Sequence, residues 1–465
     1  MNAKVKLFLG LGLLSLAAAP SRAEPADPAK LSLSAGYKAA FTCSALFNAG
    51  RSVDEIGDDE LGRIRPTYAE GMPGLPDAVV DAQNKRVSVA YSNAFPPRVA
   101  QWRPHLGCVQ LPSGGGDAAL AAPPEANVKM NRKQVIPLAE DLSDNEDLLG
   151  VVDAAFDRQT YGEGTETTAV IVMKDGAIIA ERYRDEFDKD TPQRTWSVAK
   201  SIAASVIGAA VHQGLIDVDE PAGLEAWSAS GDPRGAITVE NLLHMASGLD
   251  NGPAGNRTDD VYFGGGRVID HAVTRRLIAA PGSRWYYANN DTMLAIRALR
   301  ERMDDDAAFL AFPFEALLHP IGMMRTFPET DWNGDFILSS QVWTTARDLA
   351  RLGQLYLNDG VWDGRRILPE GWADFVAAPA PAQPPLTRSD GSPYAGYGAQ
   401  FWLFGERHGL PDGAYAAMGN RGQYVMIEPQ SGLVIVRRGF DSNQPGGARF
   451  DIAQFSVNVL AALEE

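Results

Sequence analysis

Lysine is scarce in this sequence and stops early: ten lysines stand against 32 arginines, and none follows Lys200 in 465 residues. Arginine holds its proton at any physiological pH, so the chain beyond position 200 has no long-chain amine to act as a base. Cysteine is scarcer, with Cys43 and Cys108 the only two, and they lack the paired spacing of a zinc site. The six histidines form no His-Glu-x-x-His, and the chain has no Gly-x-Ser-x-Gly elbow. Those absences set aside a zinc hydrolase and a Ser-His-Asp hydrolase. Positive charge is short overall: 42 basic against 59 acidic side chains give a net charge of −17. That balance disfavours nucleic acid and anionic membrane surfaces as partners. No apolar run is long enough to span a bilayer comfortably.

The clearest apolar run, Leu7–Ala19, follows Lys4 and Lys6 and precedes Ser21-Arg22-Ala23. The pattern reads as a secretory signal over residues 1–23, cleaved after Ala23. It implies an exported, periplasmic protein with no membrane anchor in its mature form. The mature chain has about 442 residues and a net charge of −20. In an oxidising compartment Cys43 and Cys108 are candidates for one structural disulfide, the alternative being two buried thiols.

Residues 24–111 read as a small mixed module of short segments: Lys38–Phe47, the acidic Asp54–Glu60, an alternating strand at Arg86–Tyr91, and Val99–Leu111. No cluster with evident chemistry lies there. The glycine- and proline-rich stretch 112–128 reads as a linker to a second domain, 129–465. In that domain Ser143–Arg158 is expected as a helix capped by Ser143 with Glu146 completing a capping box. Thr167–Met173 and Ala177–Tyr183 flank Lys174-Asp175-Gly176, a hairpin signal. Residues 205–343 read as mostly helical, with Asn251–Gly266 a glycine-rich loop long enough for a lid or a binding loop. An amphipathic helix at Thr344–Leu357 follows. Strands at Ala399–Phe404, Gln423–Glu428 and Leu433–Arg438 precede a closing helix at Asp451–Leu463. The expected fold class is α/β (α+β): one antiparallel sheet built from both ends of the domain, flanked by its terminal helices, with a helical lobe inserted.

The chemistry is carried by Arg194-Thr195-Trp196-Ser197-Val198-Ala199-Lys200-Ser201, which opens a run apolar on nearly every face and ending near Gly214. Such a run predicts a buried helix, with Ser197 in its first turn and Lys200 three residues on, projecting from the same face. A serine hydroxyl needs a base beside it, and a lysine whose pKa is lowered by burial can serve. Ser197/Lys200 is the only Ser-x-x-Lys in the chain. Downstream stands Pro281-Gly282-Ser283-Arg284-Trp285-Tyr286-Tyr287-Ala288-Asn289-Asn290. Read with Ser-Val-Ala-Lys, it resembles the serine β-lactamase-like, penicillin-recognising superfamily, and within it the class C-type esterases and aminohexanoate-dimer hydrolases. Asn241–Leu249, Thr345–Arg351 and Trp362–Pro369 are also similar, so the resemblance covers about 335 residues from near Met130.

That resemblance implies a β-lactamase/transpeptidase-like fold and a Tyr-x-Asn motif at Tyr287-Ala288-Asn289. Tyr287 would share base duty with Lys200, whose ammonium field would favour the phenolate. Asn289 would orient Lys200 or the substrate amide. The third family motif, Lys-Thr-Gly or His-x-Gly, falls on Ala417-Met418-Gly419-Asn420-Arg421-Gly422, where the basic residue is missing. Backbone N–H groups of Ser197 and Asn420, with Gly419 before it, would hold the oxyanion, and Arg421 is the candidate substitute for the missing cation. Trp196, Trp285 and Tyr286 are candidate pocket residues. His244 reads as a core or helix-end histidine, and Asp304-Asp305-Asp306 as a solvated acid run. The expectation is a secreted serine hydrolase of a small amide or ester, using no cofactor and no metal. The alternatives are a β-lactamase or D-Ala-D-Ala carboxypeptidase activity, and a catalytically silent periplasmic binder.

Overall fold

The computed structural model describes residues 27–114, 124–129, 137–252, 258–303 and 305–464. The expected signal segment and its cleavage site lie outside the described residues, as does Asp304. Among the described residues no helix is long and apolar enough to cross a membrane.

The chain opens on a 22-residue helix, Pro28–Ala49, where the sequence suggested only a short segment at Lys38–Phe47. Asp27 caps it by accepting from the Ala29 N–H, Pro28 takes the first position, and Gly50 closes it at φ 71°. Ser32, Ser34 and Gly36 break up the apolar stripe at its beginning and hide the helical period. Gly36 is there for packing, since a Cβ at that point would collide with the Phe263 carbonyl. Four antiparallel strands follow as a meander: β1 (Val79–Asp81), β2 (Arg86–Val89), β3 (Arg98–Arg103) and β4 (Gly107–Gln110). A disulfide ties Cys43 of the helix to Cys108 of β4, so Val99–Leu111 is a hairpin rather than a single element.

The main sheet joins distant parts of the chain. Its early strands are β5 (Ala139–Glu140), β6 (Thr167–Lys174) and β7 (Ala177–Tyr183). Two smaller sheets come next: β8 (Gln193–Arg194), β9 (Phe327–Pro328) and β10 (Val342–Thr344), then β11 (Val361–Trp362) with β12 (Arg365–Arg366). The late strands are β13 (Gly396–Tyr397), β14 (Trp402–Leu403), β15 (Tyr415–Gly419), β16 (Gln423–Glu428) and β17 (Leu433–Gly439). Their order is β13-β14-β15-β16-β17-β6-β7-β5, so β17 pairs antiparallel with β6 and closes one sheet from both ends of the domain. Only β5 runs parallel, beside β7.

Both faces of this sheet are covered, which explains why its strands read as continuous apolar runs. Val170, Val172, Met426 and Ile435 turn to one face, under the helices Glu146–Ala154 and Ile452–Glu464. Ile171, Met173, Val425 and Val434 turn to the other, against the helices Val198–His212 and Ala346–Leu357. Successive side chains thus serve opposite cores, as the pleat requires.

Three local expectations are corrected. Asn145, not Ser143, caps the first of these helices, accepting from the Asp147 and Leu148 N–H groups, and Glu146 is its first residue. Ala399–Phe404 forms only the two-residue strand β14, because the chain bends at Gln400 with φ 65°. Of the loop expected as a lid or a binding loop, Asn251–Gly266, the later part is packed down rather than free: Val261, Tyr262 and Phe263 are buried, and the Phe263 ring packs on Tyr37 and Tyr68. Residues 253–257 of that loop lie outside the described residues.

Candidate active site

Ser197 stands at the N-cap of the helix Val198–His212. The residue before it, Trp196, takes φ 50°, a left-handed conformation that costs a bulky side chain of order 1–3 kcal/mol. The surroundings hold it there. The Thr195 N–H donates to the Val342 carbonyl at 2.8 Å, and the Arg194 guanidinium lies 4.3 Å from the Trp196 ring centroid. The turn aims Ser197 out of an otherwise apolar helix.

Lys200 lies on the same face, its Nζ 3.4 Å from Ser197 Oγ. It donates to Asn289 Oδ1 at 2.7 Å and to the Ser339 carbonyl at 2.6 Å. The side chain is 1% exposed, and burial alone pulls its pKa down from 10.5 to about 7. A large fraction of the amine is therefore neutral at neutral pH and able to accept a proton. Tyr287 is hydrogen bonded to Ser197, and Lys200 Nζ sits 5.0 Å from its ring centroid. Burial pushes its phenol above the ordinary value, and the Ser197 contact only partly offsets this. Burial thus favours the neutral phenol over the phenolate that the resemblance implied.

Asn289 begins the helix Asn289–Arg300. Two residues on, Asp291 does what the sequence reading missed. It is 1% exposed and accepts from Ser247 Oγ at 2.9 Å and Asn251 Nδ2 at 3.0 Å, and burial raises its pKa to about 7. It ties the Tyr-x-Asn segment to the Ser247-Gly248-Leu249 turn. The available signal was an acid directly after Tyr287-Ala288-Asn289-Asn290, in a chain that also carries the family-like Ser247-Gly248-Leu249. Ser339 was also missed and had no motif to announce it; its Oγ is hydrogen bonded to Tyr262 Oη at 2.6 Å.

The third element arrives through β15 and β16, which pair from Tyr415↔Ile427 to Gly419↔Gln423. A Cβ at Gly419 would collide with the Thr195 carbonyl and lie 3.1 Å from Ser197 N. Only glycine lets this strand end lie on the nucleophile turn. Asn420, the next residue, therefore opens its turn beside Ser197. No group of three His, Cys, Asp or Glu side chains among the described residues is placed to hold a metal ion.

Residues 152–453, well over half of the chain, match the family model described as beta-lactamase. The chain belongs to the beta-lactamase family. It is 27% identical over 292 residues to the 6-aminohexanoate-dimer hydrolase of Paenarthrobacter ureafaciens, covering 59% of this chain and 73% of that protein. A solved Bacillus anthracis structure, provisionally named a 6-aminohexanoate-dimer hydrolase, superposes with a TM-score of 0.57 at 23% identity, over 72% of this chain and 89% of that one. A family VIII carboxylesterase gives 0.52 at 15% identity, over 70% and 99%. The fold is thus the β-lactamase/transpeptidase-like one, in a family of serine hydrolases.

In this family member the pocket-side expectations divide. Trp285 and Tyr286 belong to an aromatic group with Tyr287, Tyr397 and Trp402. Trp285 and Tyr287 have ring centroids 6.3 Å apart, and Tyr287 and Trp402 5.5 Å. They form a wall beside the phenol. Trp196 does not join it: its ring faces the first helix, 5.7 Å from Phe41. Arg421 is also turned away. It is 5% exposed, and its guanidinium is spent on backbone carbonyls behind the hairpin, so it does not replace the missing cation. His244 closes the short helix Val239–Leu243, where burial lowers its pKa to about 4, in keeping with a structural histidine. Asp305 caps the helix Asp306–Phe312, and Asp306 pairs with Arg300, so those two acids have structural partners.

Proposed function

We propose that this protein hydrolyses a small amide or ester through an acyl-enzyme on Ser197. One observation carries the reading: a buried Lys200 amine, paired with no carboxylate among the described residues, stands 3.4 Å from Ser197 Oγ at the helix cap. Neutral Lys200 takes the Ser197 proton as Oγ attacks the carbonyl carbon. The N–H groups of Ser197 and Asn420 hold the oxyanion. Collapse of the tetrahedral intermediate breaks the C–N or C–O bond. The Tyr287 phenol gives its proton to the leaving group and recovers one from the Lys200 ammonium. Water then attacks the acyl-enzyme, with Lys200 again the base, and Ser197 leaves with a proton. Asn289 keeps the amine aimed through its Oδ1.

The curated relative's name describes hydrolysis of an aminohexanoate dimer, whose scissile bond is a linear amide, and this makes a linear amide the first candidate here. Short-chain esters stand close behind. Substrates recognised through a carboxylate beside the third motif, such as β-lactams and D-Ala-D-Ala peptides, are disfavoured because Arg421 is turned away. Export to an oxidising compartment accords with the Cys43–Cys108 bond.

Three chromogenic substrates test the reading: p-nitrophenyl butyrate, an aminohexanoate-type anilide and nitrocefin, each with wild type and Ser197→Ala. Ester or amide turnover that falls at least ~10³-fold in the variant supports it. Wild-type rates in Ser197→Ala would end it, and dominant nitrocefin turnover would move the substrate class to β-lactams. The pH profile is also fixed. Lys200 must be neutral to act, so kcat/KM rises with pH through about 7 and levels above it. No descending limb from Tyr287 appears below pH 10, since burial moves the phenol upward.

A further inference from the structure

Arg421 follows Asn420 directly, and the destination of its five N–H donors is unusual. Nη1 donates to the carbonyls of Asp59 and Glu60 at 2.9 and 3.4 Å, and Nη2 to those of Gly62 and Phe440 at 2.9 and 3.4 Å. Nε donates to the Asp441 carbonyl at 3.2 Å. No carboxylate takes part. Phe440 and Asp441 lie just beyond β17, but residues 59–62 belong to the N-terminal segment, which precedes the part of the chain that matches the family. The turn is buried and Arg421 itself sits at φ 61°, so the guanidinium fixes the backbone on which it stands.

The same N-terminal segment reaches the other side of the oxyanion position. Phe41, from the helix Pro28–Ala49, packs on Trp196, and the Arg194 guanidinium lies against both rings, 4.6 Å from the Phe41 centroid and 4.3 Å from that of Trp196. Trp196 holds the strained φ that sets the Ser197 N–H. The acidic turn 59–62 is itself tied down. Arg51 pairs with Asp59 at 2.5 Å, Arg184 also pairs with Asp59, and Arg63 bridges to Glu166 at 2.9 Å.

We propose that the N-terminal segment is a positioning element for catalysis: its 59–62 carbonyls, gripped by Arg421, and its Phe41, packed on Trp196, hold the two oxyanion N–H groups in register. Arg421 is a positioning residue, acting through Asn420. The proposal rests on the acyl-enzyme reading and gives a role to a segment that the family match leaves out. A backbone donor displaced by about 1 Å loses on the order of 10²-fold in rate, and the loss falls on the transition state rather than on substrate binding.

The experiment compares full-length wild type, Arg421→Met and Arg421→Lys on p-nitrophenyl butyrate, with rates normalised to titrated Ser197. Butylboronic acid, which forms a tetrahedral serine adduct, is the second probe. Arg421→Met should lose ~30- to 100-fold in kcat with KM within threefold, and the boronate Ki should rise by a similar factor. Arg421→Lys, with three donors on one atom and no fork, should fall between. The pH midpoint near 7 should stay, because Lys200 is untouched. A kcat within threefold of wild type in folded Arg421→Met overturns the clamp; if that variant does not fold, the same result in Arg421→Lys overturns it. Loss of kcat with an unchanged boronate Ki also overturns it. A wild type without Ser197-dependent turnover would instead overturn the acyl-enzyme reading, and the clamp with it.

Discussion

Lys200→Met is expected to lower kcat by about 10²- to 10⁴-fold while leaving the protein as stable as wild type or more so at pH 7. The rate loss follows from removing the proposed base beside Ser197, since general-base assistance is worth roughly that factor. The stability effect follows from burial. Lys200 has its pKa lowered from 10.5 to about 7, so holding the charged form in the folded protein costs on the order of 5 kcal/mol. Between pH 7 and 10.5 the unfolded chain binds this proton and the native protein does not, so wild-type stability rises with pH across that window. Methionine has nearly the same length, carries no charge and lacks this dependence. Against the gain stand the lost donors to Asn289 Oδ1 and the Ser339 carbonyl, about 1–3 kcal/mol each. The advantage of the variant should therefore be greatest below pH 7 and shrink toward 10.5. Thermal unfolding at pH 6, 8 and 10, beside kcat, checks both halves. Retained activity would remove Lys200 from the mechanism; a large Tm loss at every pH would make it a structural residue.

Gly419→Ala is expected to cost about 10²- to 10³-fold in kcat with little change in KM. The added methyl would meet the Thr195 carbonyl and the Ser197 nitrogen, both backbone atoms that no side-chain rotation can move aside. Either the β15–β16 hairpin or the Ser197 turn must shift, and each carries one of the two proposed oxyanion donors. Gly419 has no positive φ that alanine would resist, so the effect is one of contact alone. A loss of about 1–3 kcal/mol in stability should accompany it. Kinetics and urea unfolding on the same preparation separate the two effects; full activity in a folded variant would show that the hairpin is not part of the site.

The parts of this protein visible in its sequence are those written in local chemistry. Thr167–Met173 and Ala177–Tyr183 announced a hairpin because a Lys174-Asp175-Gly176 turn separates two apolar runs. Ser197, Lys200, Tyr287, Asn289 and Gly419 stood in short patterns, and the structure places them together. What stayed hidden depends on long-range packing. Arg421 sits next to the oxyanion turn in sequence, yet its direction is set by carbonyls about 360 positions earlier. Trp196 reads as a pocket aromatic because it adjoins Ser197, and only the fold shows its ring packed on Phe41 of the first helix. The start of the first helix is hidden because serines and small residues interrupt its apolar stripe, and Gly36 among them serves close approach to Phe263. Asp291 was passed over because a buried acid looks like any other acid until its donors from Ser247 and Asn251 are seen.

The most direct test of the central claim is mass analysis of protein quenched during turnover of a slow ester, followed by peptide mapping. An acyl group on the peptide bearing Ser197, formed at a rate that falls below pH 7 and absent from Ser197→Ala and Lys200→Met, is the predicted result. Steady turnover with no adduct, or an adduct on any other residue, would contradict the proposed acyl-enzyme mechanism.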